Sequence, residues 1–96
     1  MVRRVWGVHS GTRNRLIGMR HYHVYLLNLA AEKQIIMPID HFRLIIEILE
    51  VAMNQLDQME QFLQDSDTLQ GRRNFVSVEV QYQATATAAH NLINNI

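Results

Sequence analysis

The chain's chemistry-bearing residues are five histidines, nine lysines and arginines, and nine carboxylates. The histidines stand at His9, His21, His23, His41 and His90. His21 and His23, separated by Tyr22, would point to the same side of a strand, a spacing that zinc sites use. On a helix the same two rings diverge by about 200° and cannot share an ion without a second helix. No H-E-x-x-H spacing occurs. Ordinary surface or boundary histidines are therefore expected, with His23 and His90 meeting across a bundle as a further possibility.

The absence of cysteine excludes a disulfide scaffold, thiolate metal ligation and a cysteine nucleophile. The three serines, Ser10, Ser66 and Ser77, lie in no nucleophile elbow. The segment 7–11 carries Gly7 and Gly11 but neither the lysine of a phosphate-binding loop nor a convincing strand before it. The carboxylates are spread along a solvated helix face rather than paired in the contrasting environments that acid–base catalysis needs. We expect no catalytic residue, no cofactor and no metal site, hence a chain that is not an enzyme.

Charge is more informative. The formal net charge is zero, yet residues 1–24 hold Arg3, Arg4, Arg13, Arg15 and Arg20 with no acid, a local +5. Residues 40–67 hold seven acids against Arg43 alone, a local −6. Such a split marks either a binding surface or an internal match. Arg3, Arg4, Arg13 and Arg15 could contact phosphates, together with Arg72 and Arg73, with Trp6 and His9 available for stacking. The sequence pI near 7.0 and the acidic middle segment count against nucleic acid as the main partner. An acid-free, arginine-bearing start also has the composition of an organelle transit peptide, although no amphipathic helix is evident before Arg13.

The elements that position these groups follow from periodicity. At 96 residues, 48% hydrophobic, with one proline and four glycines, the chain is one small folded domain. No apolar run is long enough to span a membrane, and a cytoplasmic location is the expectation. In segment 40–64, Phe42, Ile45, Leu49, Ala52, Leu56, Met59 and Leu63 recur at spacings of three and four, forming one stripe flanked by Ile46, Ile48, Met53 and Phe62. Asp40 is the expected N-cap, with Ile39 and Leu44 as a hydrophobic staple. Segment 12–36 reads as a second helix, with Met19, Tyr22, Leu26, Leu29 and Ala30 along one side. Gly18 and the early arginines count against that helix. The short connection at Pro38 makes the two helices an antiparallel hairpin of about 37 Å each. That hairpin would place Arg13 and Arg15 beside Asp65 and Asp67.

After a polar loop over 66–73, segment 76–83 alternates like a strand and is rich in β-branched residues. Read instead as a helix capped by Asn74, it places Phe75, Val78, Tyr82, Ala86, Ala89, Ile93 and Ile96 on one stripe. The expected fold is thus all-α, an antiparallel helical hairpin plus a third helix. The alternative is an α+β domain with strand 76–83 paired to strand 2–9. Residues 1–11 form a loosely attached basic arm, and 12–96 the helical domain.

No motif is specific enough to choose a family. The apolar arc of 40–64 is wider than a two-helix seam requires, which would leave Ile46, Ile48, Met53 or Phe62 partly exposed. It reads as a contact surface for a second copy or a helical partner protein. Ile45, Ile48, Leu49, Leu56, Met59 and Phe62 are the expected interface residues, in a non-enzymatic interaction module. A small nucleic-acid-binding regulator is the alternative.

Overall fold

The computed structural model describes residues 2–95, with side chains from Gly11 to Asn95. Three helices, α1 (Val2–Lys33), α2 (Ile39–Leu63) and α3 (Leu69–Asn94), form an up-down-up bundle. Among the described residues there is no strand. Residues 76–83 are helical, and the backbone of 2–9 belongs to α1, so the α+β alternative is corrected. Alternation of Val76, Val78, Val80 and Tyr82 was the strand signal. On α3 the fold buries Val78 and Tyr82 and leaves Val76 and Val80 exposed, because packing against α2 and α1 overrides local β preference. The expected arm starts α1 at Val2 rather than at Thr12. Its side chains, and its expected loose attachment, lie outside the residues described in full.

The α1–α2 connection is built by Met37 and Pro38. Helix α1 closes with a 3-10 turn over Gln34–Ile36, and the Met37 N–H donates to the Gln34 carbonyl at 3.3 Å. Met37 is extended, as a residue before proline must be, and its side chain is buried. Pro38 then takes the N-cap position of α2, and its carbonyl accepts from Phe42 N–H at 3.0 Å. Asp40 lies inside the first turn instead of capping it, where its charge suits the helix dipole. Ile39 and Leu44 are both exposed rather than serving as a staple. With Met37 turned inward, Ile35 (90% exposed), Ile36 (65%) and Ile39 (67%) stand out in solvent at this tip.

The α2–α3 turn is tighter than the expected 66–73 loop, since α3 starts at Leu69. Thr68, not Asn74, is its N-cap: the hydroxyl donates to the Asp65 carbonyl at 2.8 Å and accepts from Gly71 N–H at 2.9 Å. Asn74 sits within α3 and accepts from the Gln70 side chain. Gly71 is required here, because a β-carbon at this position would overlap the Asp65 backbone.

The core combines Leu16, Leu26 and Ala30 of α1, five residues of α2 (Ile45, Leu49, Ala52, Leu56, Met59) and six apolar residues of α3 (Phe75, Val78, Tyr82, Ala86, Ala89, Ile93). Met19, Tyr22, Leu29, Phe42, Ile46, Ile48 and Phe62 pack half-buried against it. Helices α1 and α3 run parallel, as the pairs Arg15–Glu79, Tyr22–His90 and Lys33–Asn94 show by rising together. Helix α2 runs antiparallel to both, with Arg20 bonded to Asp57 and His41 to Leu92.

Candidate functional site

The residues expected at an interface are placed first by their burial. Ile45, Leu49, Leu56 and Met59 are fully enclosed by α1 and α3 of the same chain, and Ile48 and Phe62 are half-buried beside them. The stripe therefore completes the subunit's own core. It offers a second molecule only its flanks while the bundle is intact.

Two arginines of α1, Arg15 and Arg20, are matched to carboxylates within the chain. Arg15 grips Glu79 of α3 through two parallel bonds, Nε to Oε2 at 3.1 Å and Nη2 to Oε1 at 2.8 Å. Its guanidinium also lies 5.4 Å from the centre of the Phe75 ring, a cation–π contact. Arg20 reaches α2 instead, donating to Asp57 at 3.1 Å and Glu60 at 2.8 Å. An internal match thus exists, but with Glu79, Asp57 and Glu60 in place of the expected Asp65 and Asp67. Arg15 and Arg20 are five residues apart, hence about 140° apart around the helix, so they face different neighbours. Arg13 is exposed, while the side chains of Arg3 and Arg4 lie outside the described residues.

The four histidines with described side chains, His21, His23, His41 and His90, do not converge on one site. His21 is exposed and His23 buried, as their divergence on a helix requires. His90 packs with tyrosines rather than His23. The Tyr22 hydroxyl and His90 Nδ1 are hydrogen-bonded at 2.8 Å, and the His90 ring meets Tyr22 and Tyr25 edge-on at 6.0 and 6.2 Å. Tyr22 and Tyr25 stack at 5.9 Å. The ring nitrogen Nε2 of His41 donates to the Leu92 carbonyl at 2.8 Å, which fixes its tautomer. Among the described residues no three histidines or carboxylates lie close enough together to hold a metal ion.

Among the described residues, a groove of about 490 Å³ runs along the α1–α3 seam. Gly18 and Ala86, having almost no side chain, form its floor, and Met19, Tyr22 and Tyr82 its apolar wall. Gln83 and Thr87 supply polar groups on the α3 side, and the Arg15–Glu79 pair closes one end. A β-carbon at Gly18 would meet no atom within 4 Å, so the groove is open above it. The Tyr82 hydroxyl is committed to the Met19 carbonyl at 3.0 Å. Burial pushes its ionisation up to about 12, and burial likewise raises that of Tyr22. Both phenols remain neutral at ordinary pH, suited to binding rather than to proton transfer.

Tyr25, Glu79 and Gln83 were not singled out by sequence reasoning, and Gly18 was noted only as a cost to the helix. The available signal was Gly18 itself, since a glycine inside a helix costs about 1 kcal/mol against alanine and marks a packing or functional reason. Compared with known protein families, curated proteins and solved structures, the chain matches none.

Proposed function

We propose that the chain is a non-enzymatic protein-interaction module that self-associates, and that the α1–α3 groove with its aromatic rim is where the second copy seats. The observation that carries this reading is the groove itself. Once the core is complete, a channel with a glycine floor and tyrosine walls remains open between two parallel helices. Helix-in-groove recognition uses such a channel, with apolar anchors entering between side chains of the host. Tyrosine and arginine are also the residue types that dominate binding energy at protein interfaces. Exposed Tyr25 extends the rim, and Val76 and Val80 add apolar surface on α3.

The test is the solution mass of the purified chain by light scattering at tens of micromolar, for the native sequence and for Gly18→Leu and Tyr25→Ser. The expected result is a multiple of the 11.2 kDa chain mass that falls to the single-chain value when leucine fills the groove floor. A single-chain mass for the native sequence, or a multiple that survives both substitutions, overturns the reading.

The alternative, a nucleic-acid-binding regulator, draws on Arg3, Arg4, Arg13 and Arg15. The engagement of Arg15 with Glu79 leaves it less support. Retention on DNA or RNA that weakens steeply with salt would restore that alternative.

A further inference from the structure

His23 occupies an unusual position for a titratable group. It lies on the inward face of α1 between Leu16 and Leu26, and only 3% of its surface is exposed. Its Nδ1 is buried and has no hydrogen-bond partner. A neutral imidazole tolerates this, because an unprotonated Nδ1 is merely an idle acceptor. A protonated ring does not, because both nitrogens are then donors and the charge must be solvated or paired.

The groups around it are already engaged. On its own helix Arg20, three residues earlier, places a positive charge nearby and spends its donors on Asp57 and Glu60 of α2. Asp57 attracts a proton on His23, but burial and Arg20 together outweigh it and hold the ring below the ordinary histidine range. From α3, Tyr82 bonds the Met19 carbonyl and His90 bonds Tyr22, both within about a turn of His23 on α1.

Among the described residues, α1 buries fewer apolar side chains than α2 or α3. It contributes Leu16, Leu26 and Ala30 to the core and includes the buried polar residues Thr12 and His23. Its seam with α3 is the open groove. Helices α2 and α3 bury five and seven residues and share the turn capped by Thr68.

We propose that His23 is an acid-sensitive latch, whose protonation releases α1 from the α2–α3 hairpin. The ring gains its proton by leaving the core, and α1 leaves with it. The released state uncovers part of the α2 stripe that α1 otherwise covers, so acidification changes which apolar surface is presented.

The experiment is an NMR pH titration of the intact chain from pH 7.5 to 4.5, following the His23 ring and amide exchange protection along the backbone. Native protein is compared with His23→Gln and His23→Met. The expected result is loss of protection over residues 12–33, coincident with His23 protonation, while 42–62 and 72–92 stay protected. Both variants should keep α1 docked to a lower pH. The proposal is overturned if His23 protonates with α1 still protected, or if all three helices are lost together. It is also overturned if the variants release α1 at the native pH, which would assign the event to His41 or His90. Ring and amides are read in the native chain, so the outcome is decisive even if a variant fails to fold.

Discussion

The Tyr82 hydroxyl, buried in the middle of α3, donates at 3.0 Å to the carbonyl of Met19 in the middle of α1. This is a side-chain tie across the seam that is otherwise the most open in the bundle, and the wall of the groove depends on it.

Replacing Tyr82 by phenylalanine keeps the ring and removes the tie. The expected loss is about 1 kcal/mol in a denaturant melt. The pH dependence gives a second readout. The phenol ionises near 10 when unfolded and is pushed up to about 12 in the fold. The stabilisation is therefore complete below pH 10 and falls as pH rises from 10 toward 12, where the unfolded chain releases the proton and the fold does not. In Tyr82→Phe that share of the alkaline decline should disappear.

Two glycine-to-alanine substitutions should act in opposite directions. Gly71→Ala drives a methyl into the Asp65 backbone and should destabilise by at least about 2 kcal/mol. Gly18→Ala meets open space and should stabilise by about 0.5–1 kcal/mol through helix propensity. Paired thermal melts of the two variants decide this, and an equal effect in both would contradict the turn geometry described above.

Leu56 is wholly enclosed within one chain. Leu56→Ala should cost roughly 2–5 kcal/mol. Leu56→Glu should abolish the folded helical signal in circular dichroism. A folded variant of lowered mass would instead mark Leu56 as an intermolecular contact.

The Arg15–Glu79 pair is bidentate but half-exposed on the arginine side. A double-mutant cycle with Arg15→Gln and Glu79→Gln should return a coupling of roughly 0.5–1 kcal/mol that shrinks with added salt. A coupling insensitive to salt would mean the ion pair is not the source of the stabilisation.

Much of this architecture is legible in the sequence wherever a single period is at work. The stripe from Ile45 to Met59 and the one from Phe75 to Ile93 are both buried as their spacings predict, the second despite the competing alternation of its valines. Partial exposure of Met53, Ile46, Ile48 and Phe62 follows from the width of the α2 arc. The turns are less legible, because the hydroxyl of Thr68 and the missing side chain of Gly71 acquire meaning only once Asp65 is folded back against them. Ion-pair partners depend on lateral placement. That Arg15 meets α3 while Arg20 meets α2 follows from how the third helix packs, which no linear spacing encodes. His23 is hidden for a similar reason: its polarity argues for surface, and its seven-residue distance from Leu16 argues for the interior.

The tip between α1 and α2 has a consequence of its own. Met37 is anchored in the core and Pro38 restricts the backbone beside it, so Ile35, Ile36 and Ile39 are held outward on a stiff mount rather than on a supple loop. Whatever settles on those three side chains would find them already arranged, and little conformational freedom would remain to be lost in the encounter.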